Sequence, residues 1–333
     1  MLKCAIIGVG GLGQVHLKNM IQIEKETGRA GVVALCDIEP NRFERAVETN
    51  LGGAETIDMS RFRKYVSVDE LLEREQLDFV ISAVPTYLHA EIAVKALQHG
   101  LHTFSEKPMA LDVTQCDTMI SAAQEAGRLL TIGQCLRFWP EYRVLKEIIV
   151  SARYGSVVKA EFTRYSPLPT WTWNDWMLDF DKSGGAALDL HVHDVDTIAW
   201  LFGIPKSVTS YATHSVMPFD SITTAYGYPD KVVTAVGDWG MGAKYPFHMG
   251  FLVRLERASV SLSHEGLNVY TKDEVITPPL TGHDAYRAEI EEFIGCIEKN
   301  EPNRINPPES SAEAIRIVRA EMRSAQSGLP VMF

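Results

Sequence analysis

The stretch KCAIIGVGGLGQVH, residues 3–16, decides the fold of the first part of the chain. It opens with a short apolar run, which predicts a buried strand. Gly8, Gly10 and Gly13 follow in a G-x-G-x-x-G pattern, directly before a predicted helix. Glycines at this spacing permit a tight turn and let the backbone approach a pyrophosphate, which the helix N-terminus attracts. The order of strand, glycine loop and helix therefore predicts a dinucleotide site.

Strand and helix patterns alternate after this loop. The apolar runs that predict further buried strands lie at residues 32–37, 78–84, 102–107 and 129–134. Helices are predicted over residues 91–99 and 114–127, ending beside or at a glycine. This alternation predicts an α/β fold, with a doubly wound parallel sheet of the Rossmann type over residues 1–133.

Residues 134–333 follow a different pattern and are predicted to form a second domain. A helix near Glu141–Ile149 precedes a strand at 156–165, and successive strands broken by turns fill residues 207–277. Strands that follow one another without long helices predict a large, mostly antiparallel sheet, so this domain is α+β. Two helices close the chain, and the first carries an apolar stripe formed by Ile290, Phe293, Ile294 and Ile297.

The composition excludes several classes of partner. The formal net charge is −11, which argues against a nucleic-acid groove or an anionic membrane, since both require clustered Lys and Arg. No apolar run is long enough for a transmembrane helix, and the first residues lack the pattern of a signal peptide. The five cysteines are scattered and form no C-x-x-C, which predicts reduced core thiols in a cytoplasmic protein.

Asp37 ends the second predicted strand, where an acid can bind the adenine-ribose hydroxyls of a dinucleotide. A carboxylate there repels a 2′-phosphate, so NAD is favoured over NADP. Arg42 lies five residues further on and is a candidate to bind that phosphate instead. We therefore expect NAD as the cofactor, with NADP as the less favoured alternative.

The segment GGAALDLHVHDVD, residues 184–196, allows three interpretations. His191 and His193 alternate, as metal ligands on a strand do. Asp189 and His193 are four residues apart, which on a continuous helix places them on one face as an acid–base pair. The segment also fits the polar edge of an ordinary helix. A zinc site needs a third and usually a fourth ligand at plausible spacing, so no metal site is predicted.

The tetrapeptide SEKP, residues 105–108, places Lys107 at the carboxyl end of a predicted parallel strand, where open α/β sheets bind ligands. With this motif the chain resembles the Gfo/Idh/MocA family, the glucose–fructose oxidoreductase and inositol dehydrogenase group. The motifs that carry the resemblance, in order, are GVGGLGQVH, ALCDIEPNR, VPTYLHAEIAVKALQHG, EKP, RFWPEY, SGGAALDLHVHDVD, WLFG and AYRAEIEEFIGCIEKNEP. They cover nearly the whole chain.

The resemblance implies a Rossmann domain followed by a domain with an open sheet against the cofactor site. It implies that Lys107 meets the nicotinamide and the substrate hydroxyl, and that Asp189 and His193 match the family's Asp-x-Gly-x-His, in which His191 replaces the glycine. The residues expected to bind the cofactor are Gly8, Gly10, Gly11, Leu12, Gly13, Asp37, Ile38, Arg42, Ala83, Pro85, His89, Glu106 and Lys107. His191 is expected outside the catalytic cluster, either altering substrate contacts or packing against the neighbouring domain.

The expected substrate is a polyol, cyclitol, sugar or sugar derivative, bound by Lys107, Asp189, His193 and three further residues. Arg137 in RFWPEY matches a family position near the active cleft, and Tyr286 is a weaker candidate. Trp173 belongs to a tryptophan-rich loop. Its aromatic rings can stack on the apolar face of a sugar or anchor the loop to the core, and the sequence favours neither role over the other. The resemblance also implies a homodimer or homotetramer.

The expected chemistry is hydride transfer from a secondary alcohol to NAD. A neutral imidazole takes the hydroxyl proton near neutral pH, so His193 is the expected base, and Asp189 is expected to orient either the substrate or the imidazole. Lys107 hydrogen-bonds the reacting oxygen. The alternatives are an NAD-dependent glycoside hydrolase that oxidises its substrate transiently, a non-catalytic dinucleotide-sensing regulator, and a zinc hydrolase.

Overall fold

The computed structural model describes residues 1–44, 57–282 and 284–333. The chain forms two compact units. The first unit comprises Met1–Cys135 and His283–Ala312, and the second unit comprises Leu136–Gly282 and Glu313–Phe333.

The first unit contains a parallel sheet of six strands. The strands are β1 (Leu2–Ile7), β2 (Ala30–Cys36), β3 (Arg63–Tyr65), β4 (Phe79–Ser82), β5 (His102–Glu106) and β6 (Leu130–Gly133). Their order in the sheet is β3-β2-β1-β4-β5-β6, which confirms the predicted doubly wound fold. The helices of this unit are α1 (Gly11–Thr27), α2 (Val68–Arg74), α3 (His89–Gln98), α4 (Val113–Ala126) and α9 (Ala285–Lys299). Short 3-10 helices lie at Pro40–Phe43 and Thr86–Leu88.

Both faces of this sheet are buried, because successive side chains of each strand point to opposite sides. Cys4 and Ile6 of β1 pack in a core with residues of α1 and α9. Ala5 and Ile7 pack in a second core with residues of α2 and α3. The apolar runs in the sequence are therefore continuous rather than alternating, which is typical of parallel strands covered by helices.

The second unit contains a mixed sheet of nine strands. The strands are β7 (Val157–Pro167), β8 (Ser207–Thr213), β9 (Ser221–Gly227), β10 (Val232–Met241), β11 (His248–Leu255), β12 (Ser259–Ser263), β13 (Gly266–Tyr270), β14 (Val275–Ile276) and β15 (Val331–Met332). Their order is β14-β13-β12-β11-β7-β10-β9-β8-β15, with β7 and β10 parallel and the other described neighbours antiparallel. The helices are α5 (Pro140–Val150), α6 (Phe180–Ser183), α7 (Gly185–Asp189), α8 (Val192–Phe202) and most of α10 (Pro308–Ser327).

The closing part of the chain is divided differently from the sequence expectation. The sequence predicts one domain over residues 134–333, whereas His283–Ala312 belong to the first unit. The reason is the apolar stripe of α9: Ile290, Phe293 and Ile294 are fully buried in the core that contains α1. The chain therefore returns to its first unit before it ends in the second.

The five cysteines are free and buried, as the sequence predicts. None of the helices that the structure describes combines the length and the apolarity that a membrane crossing requires.

Candidate active site

The glycine loop lies between the end of β1 and the start of α1. Gly8 adopts φ +87°, and a Cβ there would lie 2.6 Å from the carbonyl oxygen of Ala83. A Cβ on Gly13 would lie 1.9 Å from the carbonyl oxygen of Gly8, so helix and loop pack too closely for a side chain. Gly10 is the opposite case, because a Cβ there meets nothing within 4 Å. Two glycines are thus required by the fold itself, and Gly10 leaves open space at the N-terminus of α1.

The end of β2 supports this loop through Asp37. The Asp37 Oδ2 atom accepts a hydrogen bond of 2.7 Å from the backbone N–H of Val9, and Oδ1 accepts one of 2.9 Å from Glu39. Asp37 therefore fixes the glycine loop directly, in addition to the ribose contact that the sequence predicts. Ile38 beside it is 70% exposed, and Arg42 lies in the following 3-10 helix.

The other predicted cofactor residues follow the neighbouring strands. Ala83 comes directly after β4, Pro85 precedes the 3-10 helix Thr86–Leu88, and His89 begins α3. The ring of His89 is buried between two carbonyl oxygens, with Nδ1 2.7 Å from that of Pro108 and Nε2 2.9 Å from that of Val84. Burial lowers the pKa of His89, although both carbonyl groups oppose this. His89 thus ties the end of β4 to the loop after β5.

Lys107 directly follows β5, and Glu106 is the last residue of that strand. The carboxyl ends of β1, β2, β4 and β5 share one edge of the parallel sheet, so the glycine loop, Asp37, Ala83 and Lys107 belong to the same edge. The free space beside the backbone of Gly10 and the N–H groups of the first turn of α1 fit a pyrophosphate. The residues present therefore fit a dinucleotide on this unit.

In the second unit, the prediction of one continuous helix through Asp189 and His193 is wrong. α7 ends at Asp189 and α8 begins at Val192. The helical hydrogen-bond pattern changes between them: the His191 N–H donates five residues back to Ala186, and the Asp194 N–H donates three residues back to His191. Leu190 and His191, between the two helices, keep right-handed helical backbone angles, so the chain continues to turn as a helix does and the common face of Asp189 and His193 stays a prediction. Asp189 is buried and His193 is half-buried.

The other polar residues of this segment anchor it within the second unit. Asp194 accepts two hydrogen bonds from Arg164 of β7, at 2.9 and 3.1 Å. Asp196 accepts two from Arg137, at 2.9 and 2.7 Å. All four side chains are at most 3% exposed. Sequence reasoning missed both pairs, since nothing in the spacing of the chain joins β7 or residue 137 to α8.

His191 is packed against other residues of the second unit. Its Nε2 atom lies 3.3 Å from Glu321 Oε2 and 3.3 Å from the Tyr226 hydroxyl, and its side chain is fully buried. Gly237 of β10 makes room for it, because a Cβ there would lie 2.7 Å from the Cβ of His191. Burial, and next the charge of Glu321, raise the pKa of Tyr226. The contacts described for His191 thus lie in its own unit rather than on the neighbouring domain.

The remaining predicted substrate residues differ in setting. Arg137 is buried in its pair with Asp196, so its substrate contact stays a prediction. Trp173 is half-buried at the start of a 3-10 helix, Trp173–Leu178, in which Asn174 and Asp175 have positive φ. Tyr286 belongs to the first unit, where its ring lies edge-on to His16 with 6.2 Å between centroids.

A polar cluster in the first unit was not predicted as a site. His16 of α1, Glu106 of β5 and Glu289 of α9 have nitrogen and oxygen atoms within 4.8 Å of one another, and all three are buried. His16 and Glu289 both lie in motifs quoted for the family resemblance, but neither spacing nor periodicity indicates that the two meet.

Comparisons with known proteins agree with this geometry. Residues 2–134 match the family model described as "Oxidoreductase family, NAD-binding Rossmann fold", and residues 142–261 match the "GFO/IDH/MocA C-terminal domain". The chain belongs to the Gfo/Idh/MocA family. Its first unit is accordingly an NAD-binding Rossmann domain, and the chain is a member of a family of NAD-dependent oxidoreductases.

Two relatives and one solved structure illustrate the range of this family. The chain is 31% identical to the 2,7-anhydro-N-acetylneuraminate hydratase of Mediterraneibacter gnavus over 73% of its length, but spans only 63% of that protein. It is 26% identical to the scyllo-inositol 2-dehydrogenase (NAD(+)) of Bacillus subtilis over 99% of its length and 96% of that protein. An aldose-aldose oxidoreductase from Caulobacter crescentus, crystallised with glycerol, shares the fold with a TM-score of 0.84 at 19% identity, covering 100% of this chain and 99% of that one.

Proposed function

We propose that the protein is an NAD-dependent dehydrogenase that oxidises a secondary alcohol of a polyol, cyclitol, sugar or sugar derivative. The observation that carries the proposal is the position of Lys107. It follows β5 at the same sheet edge as the glycine loop and Asp37, which is the edge that binds a dinucleotide. The inositol dehydrogenase relative, aligned over 99% of this chain, supports the substrate class.

Each proposed catalytic residue has one task. His193 accepts the hydroxyl proton of the alcohol, and Asp189 orients either the imidazole or the substrate. Lys107 donates a hydrogen bond to the same oxygen and offsets the negative charge that develops on it. The glycine loop and Asp37 would hold NAD⁺, which would supply the acceptor for the hydride lost by the carbon, so the products would be a ketone, NADH and a proton on His193.

A second candidate function is redox-assisted elimination or hydrolysis with no net change in NAD. The hydratase relative, at 31% identity, favours this candidate. This candidate reaction would use the same proton acceptor, His193, and the same Lys107. The geometry of the first unit is therefore compatible with both reactions. The two differ in whether NADH accumulates.

The test is a panel of cyclitols, aldoses, polyols and glycosides incubated with NAD⁺. NADH absorbance and product mass are recorded together. We expect at least one alcohol to yield NADH and a product lighter by two hydrogens. A product with no NADH supports the second candidate, and no product from any member of the panel argues against both.

A further inference from the structure

Glu289 of α9 is a buried acidic residue of the first unit. Its side chain is fully buried, and no hydrogen-bond donor among the described residues reaches either carboxyl oxygen. It lies within 4.8 Å of ligand atoms of both Glu106 and His16. A buried carboxyl group without a partner is costly, so its retention at this position requires an explanation.

The Glu106 carboxyl group makes two polar contacts and occupies space that a glycine leaves free. Its Oε1 atom lies 2.6 Å from Nε2 of His16, and its Oε2 atom accepts a hydrogen bond of 3.1 Å from the backbone N–H of Lys107. Gly133 of β6 leaves room for the carboxyl group, because a Cβ there would lie 3.2 Å from both of its oxygens. Glu106 therefore connects the nucleotide-binding helix α1 to the residue that we propose to contact the substrate.

Glu289 lies within 4.8 Å of ligand atoms of both members of the His16–Glu106 pair. We propose that Glu289 is a positioning residue, which shares its proton with the Glu106 carboxyl group and thereby holds Glu106 on His16 and on the backbone of Lys107. Two buried carboxyl groups this close cannot both be charged without a cation, and a proton between them removes the repulsion. The part of the inference that concerns Lys107 rests on the proposed function; the sharing of the proton does not.

The electrostatics of the site agree with this role. Burial, followed by the charges of Glu106 and Asp284, raises the pKa of Glu289 well above its ordinary value. Among the residues that the structure describes, the groups that face it are Glu106 from β5, His16 from α1, and Asp284 and Tyr286 from its own helix end. A raised pKa in the folded state means that the stabilisation is complete below the ordinary Glu pKa and is lost as the pH rises through the folded value.

The first test measures unfolding against pH for the wild type and Glu289→Gln. The amide has nearly the same shape and donates to Glu106 as the acid does, but it does not titrate. As the pH rises from the ordinary Glu pKa toward the raised value of the folded state, the unfolding equilibrium constant of the wild type should rise relative to that of Glu289→Gln, by up to about tenfold per pH unit. Equal pH slopes for the two proteins would overturn the shared proton. Elemental analysis of the wild type is the second arm, and one bound metal ion per chain, lost in Glu289→Gln, would also overturn it.

The second test addresses positioning. Glu289→Ala should lower kcat about 10- to 100-fold with a smaller change in KM, and Glu289→Gln should recover most of that loss. Glu292→Ala, on the same helix, is the matched control and should stay near wild type. If Glu289→Ala keeps wild-type kcat, the positioning role is wrong. If the wild type has no dehydrogenase activity while the pH slopes differ as expected, the proposed function fails and the shared proton stands.

Discussion

Arg164 and Asp194 form a buried ion pair, with the guanidinium Nε 2.9 Å from one carboxylate oxygen and Nη2 3.1 Å from the other. The pair joins β7 to α8 and is at most 2% exposed. It holds the segment that carries His193 against the sheet of the second unit.

Removing one partner of the Arg164–Asp194 pair should lower the free energy of unfolding. Asp194→Asn leaves a buried guanidinium charge without its counter-ion, and we expect a loss of about 3–5 kcal/mol in the free energy of unfolding. The control is Glu161→Gln, which breaks the pair between Lys159 and Glu161, whose side chains are 45% and 39% exposed. That change should cost less than about 1 kcal/mol. Denaturant titration measures both, and equal losses would contradict the anchoring role.

The glycine loop offers a matched pair of variants. Gly13→Ala places a Cβ 1.9 Å from the Gly8 carbonyl oxygen, so it should destabilise the protein by about 1–3 kcal/mol. Gly10→Ala meets no atom of the protein within 4 Å, so it should fold like the wild type. It should nevertheless bind NADH at least about tenfold more weakly, because the pyrophosphate approaches that backbone. Wild-type NADH affinity in Gly10→Ala would place the phosphates elsewhere.

Asp37 should select NAD over NADP. Fluorescence titration should show tighter binding of NADH than of NADPH, because the carboxylate binds ribose hydroxyls and repels a 2′-phosphate. Asp37→Asn should reduce the ratio of NADH affinity to NADPH affinity, while Glu39→Gln should leave that ratio unchanged. A preference of the wild type for NADPH would instead favour a role for Arg42 as a phosphate ligand.

The nine-stranded sheet should provide the contact between copies of the chain. Its strands alternate between buried residues and residues that are half-buried or exposed, so one face lacks full cover by its own unit. Leu252 of β11 is 46% exposed on that face. We expect a homodimer or homotetramer by light scattering, and a smaller mass for Leu252→Asp. Val150→Asp, at a helix end and 71% exposed, is the control. A wild type that is monomeric at micromolar concentration would contradict the prediction.

The sequence was most informative where one local pattern decides the structure. The loop Gly8–Gly13 and the apolar strands of the first unit need only local spacing to be recognised. The strand β3, three residues of which two are charged, has no such pattern, and its place in the sheet is decided by its pairing with β2.

The polar residues around the candidate site show the same limit. The sequence pattern alone does not distinguish the roles of the polar residues Asp189, His191, His193, Asp194 and Asp196. Three of them, His191, Asp194 and Asp196, contact partners that are 30 or more residues away in the chain. The pairing of His16 with Glu106 spans 90 residues. Such contacts depend on the packing of whole elements, so periodicity alone does not separate an anchoring carboxylate from a catalytic one.

We propose that His193 is the base for alcohol oxidation, and the turnover of His193→Ala, with NADH affinity measured on the same folded sample, tests this role. The variant should bind NADH like the wild type, because the first unit is unchanged, and its turnover should fall about 10²- to 10⁴-fold. His191→Ala is the comparison, and it should lose stability rather than chemistry, since His191 is buried against Tyr226 and Glu321. Wild-type turnover in folded His193→Ala would contradict this role of His193, as would equal inactivity of both variants together with control of activity by added zinc.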